Sequence, residues 1–468
     1  MKRLRAVFGL KEAILARRSI PQSSRHLSTA LLQSRTPRPS PSPLIPTSSL
    51  QHIALPTNPA TRHASSTPAS SALQKTPLYD LHVAHGGKMV PFGGFHMPVQ
   101  YATQSVSASH HFTRSHASLF DVSHMVQHQF SGPGATAFLE KVTPASISQL
   151  QTHNGGLSTL LWPFTGGIVD DTIITRLGPD KFYVVTNAGC REKDLKYFEE
   201  QLAEFKKSGG QDVEWDVMNG YGLIALQGPL SVEILGRLLV TPDEVDLQKL
   251  YFGQSQYMKI KLLGDKVSSP LLVSRGGYTG EDGFEISIVG DETVGVTETL
   301  LQTATSEKLQ LAGLGARDSL RLEAGMCLYG HDLDDSTTPV EAALSWIIGK
   351  DRRVAGGFHG DKVILQQLTP KSKGGSGVER RRIGLIVEGA PAREGAEIVD
   401  EKGEKIGNIT SGCPSPTLQK NVAMGYIKDG FHKSGTNVEV VVRGKKRKAQ
   451  VTKMPFVPSK YWKGAAPA

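Results

Sequence analysis

The pattern of apolar residues changes abruptly near residue 378, and this change limits the possible folds more than any other feature of the chain. Upstream, strand-like and helix-like runs alternate irregularly, which indicates an α+β fold rather than a doubly wound sheet. Downstream, short strand-like runs follow one another with turns between them, as in a small β-barrel. We therefore predict an α+β core and a C-terminal β-barrel domain. The barrel strands are predicted at residues 382–387, 397–399, 405–411, 421–426, 437–442 and 448–453.

Composition sets the remaining boundaries. Residues 1–75 are rich in Arg, Ser and Ala and contain a single acid, Glu12. This is typical of a mitochondrial transit peptide followed by a disordered Pro- and Ser-rich segment, and it predicts a location in the mitochondrial matrix. Glycine and serine are dense between residues 351 and 378, as in a linker. The predicted regions are the leader at 1–75, the α+β core at 76–350, the linker at 351–378 and the barrel domain at 379–468.

The net charge of +9 comes from the leader. Residues 1–75 carry 11 Lys and Arg and one acid, so the rest of the chain is close to neutral. A nearly neutral body gives no indication of nucleic-acid binding. No apolar run approaches the ~18 residues that a membrane-spanning helix needs. The basic run at residues 445–448 is predicted in a hairpin turn, where it is either solvated or a contact for an acidic protein.

Metal and nucleotide sites have little support in the sequence. His124 and His128 lack a third ligand at a suitable spacing, so ordinary surface or core positions are expected. The Gly132-x-Gly134 turn lacks the downstream acid of a dinucleotide site. The cysteines are far apart, which predicts free thiols, no disulfide framework and no metal site. They are Cys190, Cys327 and Cys413.

Asp170 and Asp171 lie between the turn at residues 166–167 and a β-branched run, where a strand is predicted to begin. A carboxylate at the start of a strand is held by the sheet yet stays near a surface, which suits proton transfer. Alternation along the strand groups Asp171 with Val169 and Ile173 and directs Asp170 to the opposite face. Only one acid can therefore face a ligand, and the alternation does not choose between them. A plain solvated turn is the other interpretation.

Three further segments carry side chains suited to a ligand. Glu285 follows a glycine-rich turn on a predicted strand, where its carboxylate can accept from a planar ring or form an ordinary salt bridge. Arg317 and Arg321 lie one helical turn apart, and a guanidinium suits a ligand carboxylate as well as a structural pair. Tyr461 lies in an aromatic C-terminal segment that either straps the barrel or contributes to a site.

Together these segments resemble the glycine cleavage T-protein family of aminomethyltransferases. The resemblance covers about residues 76–462, and the matching segments occur in the family's order, so no single motif carries it. They are residues 76–82, 85–89, 118–125, 166–171, 187–194, 277–287, 316–328, 411–416, 421–426 and 454–461.

The resemblance implies a multi-domain fold in which two α+β domains with interleaved sequence and a C-terminal β-barrel surround a central hole. It also implies a reaction: an aminomethyl group passes from the dihydrolipoyl arm of the H-protein to tetrahydrofolate, ammonia is released and methylenetetrahydrofolate forms. Tetrahydrofolate is then a co-substrate, and no metal or prosthetic group is expected. The implied partners are the lipoylated H-protein and the other subunits of the glycine cleavage complex.

Residue by residue, the resemblance assigns the catalytic role to Asp171, which leaves Asp170 as its structural neighbour. From the chemistry, Glu285 would pair with the pterin N–H groups, and Arg317 with Tyr461 would hold the oxo or glutamyl end. The implied folate-site residues are Glu285, Arg317, Tyr461 and Asn187, with Tyr278 and Trp346 lining the same hole.

Two other classes with this fold are kept as alternatives. Folate-binding proteins of iron–sulfur cluster assembly carry a Lys-Gly-Cys-Tyr-x-Gly-Gln-Glu signature, whereas here Cys327 lies in Gly-Met-Cys-Leu-Tyr. The folate domains of dimethylglycine and sarcosine dehydrogenases follow a flavin-binding half, for which residues 1–75 are too short. A shared fold does not determine function, so these alternatives are decided by other observations.

Overall fold

The computed structural model describes residues 72–464, so the predicted leader lies outside the described residues up to residue 71. None of the helices in this part of the chain is both long enough and apolar enough to cross a bilayer. The described strands are β1 (Gly87–Phe92), β2 (Phe95–Tyr101), β3 (Ala117–Asp121), β4 (Val126–Ser131), β5 (Gly155–Leu161), β6 (Ile168–Gly178), β7 (Lys181–Thr186), β8 (Glu214–Val217), β9 (Gly222–Gln227), β10 (Ser255–Met258), β11 (Lys261–Leu262), β12 (Lys266–Val267), β13 (Leu271–Arg275), β14 (Gly283–Ile288), β15 (Leu309–Leu311), β16 (Arg380–Val387), β17 (Glu397–Val399), β18 (Lys405–Ser415), β19 (Lys420–Lys428), β20 (Asn437–Val442) and β21 (Lys445–Thr452).

The longer helices between these strands bury one face. In the longest, residues Asp194, Tyr197 and Phe198 are buried at the three- and four-residue spacing of one helical face. The described α-helices are α1 (Tyr79–Ala84), α2 (Val106–Ser115), α3 (Ala135–Val142), α4 (Arg191–Lys207), α5 (Ser231–Gly236), α6 (Thr293–Ala304), α7 (Leu314–Glu323), α8 (Arg352–Ala355) and α9 (Asp361–Leu368).

Two large sheets form most of the α+β core, beside the two-stranded sheets β1-β2 and β11-β12, and the chain passes between the large sheets twice. One sheet has the strand order β10-β13-β14-β9-β3-β15, and the other has the order β5-β6-β7-β4-β8. Strand β3 belongs to the first sheet, β4 to β8 belong to the second, and β9 returns to the first. The two α+β parts are therefore interleaved in sequence, which confirms that expectation.

Apolar side chains fill the space on both faces of these sheets. One buried cluster joins Phe120 and Leu223 of the first sheet to Tyr183 and Val185 of the second, together with Leu320 of α7. The outer faces have separate cores, beneath α5 and α6 on the first sheet and beneath α3 and α4 on the second. Each fully buried large side chain contributes about 1.5–3 kcal/mol. The shared inner cluster holds the two sheets in a fixed relation, and the candidate site depends on both.

The C-terminal strands close into a barrel in the order β16-β19-β18-β17-β20-β21. This confirms the predicted β-barrel, and β17 and β20 have the predicted ends. The basic run is an exception, because residues 445–448 begin β21 and the turn is formed by Arg443 and Gly444. The predicted hairpin turn at residues 445–448 was therefore wrong, because these residues form the first part of β21 and the turn precedes them. Residues 445–448 lead into the rest of β21, where the alternate residues Ala449 and Val451 are buried.

The segment predicted as a linker contains ordered structure. Helices α8 and α9 lie within residues 351–378, and Phe358 and Ile364 are buried in an apolar cluster with Leu161 and Ile168. His359 N donates to the Lys141 carbonyl at 2.8 Å. The segment is thus packed against the core near the start of β6.

Candidate active site

The turn before β6 sets the position of both aspartates. Gly166 has φ +68°, and a Cβ on Gly167 would lie 1.9 Å from the Asp335 carbonyl oxygen. Only glycine fits such a left-handed turn and such a close approach without a shift of the backbone. Ile168 N then donates to the Thr337 carbonyl at 2.9 Å. The start of β6 is therefore fixed against the segment around Asp335.

A bulge at the start of β6 changes the alternation that the sequence suggests. Leu160 pairs with Asp170 and Leu161 with Ile168, so Val169 is an extra residue on this strand. As a result Val169 points into the same core as Ile174, and not to the side of Asp171. The predicted grouping of Asp171 with Val169 was therefore wrong, although Asp171 and Ile173 do share the more exposed face.

Asn187 connects the two aspartates. Its backbone N–H donates to Asp170 Oδ2 at 2.7 Å, and its side-chain Nδ2 lies 2.9 Å from Asp170 Oδ1. The same Nδ2 lies 2.9 Å from Asp171 Oδ1, so one amide group holds both carboxyl groups. Asp170 is completely buried, whereas Asp171 is partly exposed. This assigns the structural position to Asp170 and leaves Asp171 accessible.

The protonation of Asp171 is set by its surroundings. Burial raises the pKa of this carboxyl to about 7, and the Asp170 charge adds to the effect of burial. The hydrogen bond from Asn187 acts in the opposite direction but is weaker. A carboxyl with a pKa near neutrality can both give and take a proton under physiological conditions.

This shift predicts a pH-dependent stability difference between the protein and the variant Asp171→Asn. The folded-state pKa is raised, so the contribution of Asp171 to stability is complete below its unfolded value and is lost as pH rises through about 7. The amide does not titrate. Between pH 5 and pH 8 the wild-type protein should therefore lose about 2–3 kcal/mol relative to the variant. Urea denaturation at both pH values measures this difference, and a pH-independent difference would contradict it.

Glu285 and Arg317 form the charged part of the site. Glu285 lies on β14 opposite Ala225 of β9 and Ser274 of β13, in the middle of the first sheet. Burial raises its pKa, and the Arg317 charge offsets part of the rise. Burial likewise lowers the pKa of Arg317, and the Glu285 charge opposes it. The charge of each group therefore shifts the pKa of the other.

They are nevertheless not a structural ion pair. Among the described residues no acid lies within 4.0 Å of the Arg317 guanidinium, and its buried Nη1 has no hydrogen-bond partner. Arg321, one turn further along α7, is paired with Asp332 at 2.7 Å. The two interpretations left open for these arginines thus separate: Arg321 is structural, and Arg317 has a free donor. A buried guanidinium without an acceptor is costly, which suits a binding group.

Tyr278 links Asp171 to this charged part. Its ring lies under the Arg317 guanidinium at 4.7 Å, a cation–π contact, and its hydroxyl donates to the Cys327 carbonyl. Burial raises the pKa of the Tyr278 phenol, and the Asp171 charge adds to this. The structure thus brings together Asp171, Asn187, Tyr278, Glu285 and Arg317.

The other two expected residues are less closely connected. The Tyr461 hydroxyl lies 3.9 Å from the Met326 sulfur, and its ring stacks on Phe252 at 4.2 Å. Met326 adjoins Cys327, whose carbonyl accepts from Tyr278, and this segment connects Tyr461 to the group. Trp346 is 65% exposed, and no hydrogen bond or ring contact within residues 72–464 joins it to the group.

His124 is a residue of this region whose role the sequence did not reveal. It is buried, its ring meets Phe92 edge-on at 5.5 Å, and its Nδ1 has no partner within the described residues. Burial lowers its pKa to about 4, and the Arg317 charge contributes to the lowering. The imidazole is therefore neutral. The signal available in the sequence was its position inside the segment 118–125.

The matches to known protein families divide the chain into the same core and barrel as the structure. The family model of the GCVT N-terminal domain matches residues 78–352, and that of the glycine cleavage T-protein C-terminal barrel domain matches residues 380–458. The crystal structure of glycine cleavage system aminomethyltransferase T from Bartonella henselae superimposes with a TM-score of 0.73. It is 35% identical, and the match covers 84% of this chain and all of that one.

Similar sequences occur in fungi, plants and animals. A probable mitochondrial aminomethyltransferase of Schizosaccharomyces pombe is 50% identical over 86% of this chain and 97% of its own length. The mitochondrial aminomethyltransferase of Pisum sativum is 49% identical over 84% of this chain and 91% of its own. The mitochondrial aminomethyltransferase of Mus musculus is 47% identical over 83% of this chain and 91% of its own length. These relatives point to a mitochondrial protein.

The interleaved core, the acidic site and these matches define an aminomethyltransferase. The chain belongs to the glycine cleavage T-protein family, whose members serve the glycine cleavage system. Identity of about one half over nearly the whole length of named aminomethyltransferases decides against the iron–sulfur and dehydrogenase alternatives.

Proposed function

We propose that the protein transfers the methylene carbon of an aminomethyl group from the dihydrolipoyl arm of H-protein to tetrahydrofolate, with release of ammonia. The observation that carries this proposal is the unpaired charge at the site. Arg317 has a buried free donor, Glu285 has no ion-pair partner among the described residues, and Asp171 is accessible with a pKa of about 7. A ligand that offers a carboxylate or oxo group, ring N–H groups and a reacting amine satisfies all three.

Asp171 is the proposed catalytic residue. Asn187 fixes its carboxyl group from one side, and its pKa lies close to physiological pH. It can therefore hold the amine nitrogens of folate and accept or return a proton while the new carbon–nitrogen bond forms. Alignment of the two substrates adds to this effect, because fixed geometry removes much of the entropic barrier.

Glu285 is proposed to bind the pterin, and its variant tests that assignment. Glu285→Gln keeps the shape but loses the charge that accepts from ring N–H groups. A hydrogen bond to a charged group contributes about 1.5–3 kcal/mol, so the dissociation constant for tetrahydrofolate should rise about 10–100-fold. Titration calorimetry measures it, with Glu298→Gln on the exposed side of α6 as the control. Equal affinities of the two variants would remove Glu285 from the pterin site.

The activity itself is tested directly. Purified protein is mixed with aminomethylated H-protein and tetrahydrofolate, and ammonia and methylenetetrahydrofolate are measured. Both should form in equal amounts and faster than without enzyme. Ammonia at the uncatalysed rate would overturn the proposal.

The location and partners follow from the same reaction. We propose that the protein acts in the mitochondrial matrix together with lipoylated H-protein and the other subunits of the glycine cleavage complex. The relatives from yeast, pea and mouse are named mitochondrial, which supports the compartment. Folate is used as a co-substrate, and no step of the proposed reaction needs a resident metal or prosthetic group.

A further inference from the structure

Behind the site lies a buried cluster formed by Asp170, Asp194 and Cys190. One ligand atom of each lies within 4.8 Å of the others, and all three residues are buried. Asp170 receives the two N–H donors of Asn187, at 2.7 and 2.9 Å. Asp194, at the first turn of α4, is 0% exposed, and neither of its oxygens has a hydrogen-bond partner among residues 72–464. One carboxyl is fully provided with donors, and its neighbour has none.

Two negative charges cannot persist in such a place. An unpaired buried carboxylate is so unfavourable that the group takes up a proton instead. Lys193, whose charge acts on Asp194, is directed elsewhere, since its Nζ lies 3.1 Å from Asp335 and donates to the Tyr329 hydroxyl. The N-terminus of α4 favours one negative charge but not two. The remaining titratable groups beside the pair are Asp171, the Cys190 thiol and the phenols of Tyr197 and Tyr329.

The proton therefore resides on Asp194. Burial raises the pKa of both carboxyls, that of Asp194 to about 10 with the Asp170 charge adding to the rise. Asp170 has donors that stabilise its charge, and Asp194 has only the carboxylate of Asp170 to which it can donate.

We propose that Asp194 is a positioning residue that keeps its proton and donates it in a hydrogen bond to Asp170, which in turn holds Asn187 against Asp171. The hydrogen bonds run from α4 to the site. Asp194 donates to Asp170, Asp170 accepts from Asn187, and Asn187 Nδ2 lies 2.9 Å from Asp171 Oδ1. The charge of Asp170 is thereby retained at the place where it acts on Asp171. This inference rests on the proposed role of Asp171.

A divalent cation is the competing occupant of the same three groups. Zinc would require the thiolate and both carboxylates as ligands. Burial raises the pKa of the Cys190 thiol, with the Asp170 charge adding to it, so the thiol stays protonated. Both oxygens of Asp170 are already engaged by Asn187. A proton shared between Asp194 and Asp170 explains the arrangement without deprotonation of the thiol and without displacement of Asn187.

The test compares Asp194→Asn with Asp194→Leu in the complete enzyme. An amide donates to Asp170 as a protonated carboxyl does, so Asp194→Asn should keep kcat within about threefold. Leucine removes the donor, and misplacement of Asp171 should lower kcat up to about 10²-fold while KM for tetrahydrofolate changes little. Infrared spectra of the wild-type protein at pH 8 should contain the band of a buried protonated aspartic acid, and Asp194→Asn should lack it.

Glu192→Leu, on the exposed side of the same helical turn, is the matched control and should behave as the wild type. The proposal is overturned if Asp194→Asn loses as much activity as Asp194→Leu, if the infrared band is absent, or if a stoichiometric metal is found in the wild type and lost in Asp194→Asn. The infrared band needs no turnover, and it keeps the test decisive if Asp194→Leu does not fold. Failure of the aminomethyl-transfer assay with wild-type enzyme would instead concern the proposed function.

Discussion

Asp171→Asn is expected to lower kcat by about 10²–10⁴-fold and to change the dissociation constant for tetrahydrofolate by less than about threefold. The amide keeps the size of the side chain and can still accept from Asn187 Nδ2, which lies 2.9 Å from Oδ1 in the wild type. It cannot carry a proton at a pKa near 7. Single-turnover release of ammonia gives the rate, and titration calorimetry gives the affinity.

The control is Asp180→Asn, in the exposed turn between β6 and β7 of the same hairpin. It removes a carboxylate from the same part of the chain and should leave both quantities unchanged. Turnover of Asp171→Asn at the wild-type rate would remove Asp171 from the mechanism. Loss of folate affinity instead of rate would make it a binding residue.

The site could be predicted only as far as local pattern and family resemblance reach. Asp171, Glu285 and Arg317 were named from the sequence, and the structure brings them into one region with Tyr278 between them. The burial of Asp194 against Asp170 was out of reach, because it depends on how α4 meets β6. A helical acid in a first turn usually faces solvent, where the helix dipole favours it.

The fold shows the same limit. The barrel strands follow from alternation within short segments, so they were predicted to within a few residues. The bulge at Val169 depends on the pairing of β6 with β5, and no local pattern announces it. In the segment 351–378 the glycines suggested a linker, yet Phe358 and Ile364 find a buried surface near the start of β6. Tertiary burial outweighs local composition there.

Arg317 and Arg321 give the clearest case, because their spacing alone favours neither of them and only the resemblance names Arg317. One turn of α7 separates them, and tertiary contacts pair Arg321 with Asp332 while the buried Nη1 of Arg317 has no partner among residues 72–464. Arg321 Nη1 donates to Asp332 Oδ2 at 2.7 Å and Nη2 to Ser411 Oγ at 2.9 Å. Ser411 lies on β18, so this network joins the α+β core to the barrel.

Asp332 is the centre of that network, and its replacement should lower the stability of the protein strongly. Its side chain is fully buried and accepts from Arg321, from Leu328 N at 2.9 Å and from Ser411 Oγ at 2.9 Å. Asp332→Ala leaves the buried Arg321 guanidinium with one acid among the described residues, the half-exposed Asp318 at 2.9 Å from its Nε. Removal of one member of a buried ion pair costs about 3–5 kcal/mol, which is a large part of the stability of an ordinary domain.

Urea denaturation followed by circular dichroism measures this cost at pH 7. Glu397→Ala is the matched control, because Glu397 pairs with Lys405 at 3.0 Å on the barrel surface with both side chains about half exposed. An exposed pair contributes less than about 1 kcal/mol, since solvent screens the charges and the side chains lose entropy when they pair. Equal losses in the two variants would show that the buried network contributes no more than a surface pair. A loss confined to Asp332→Ala would show that the buried network around Asp332, which also receives the Ser411 hydroxyl of β18, stabilises the protein one helical turn from the arginine proposed to bind folate.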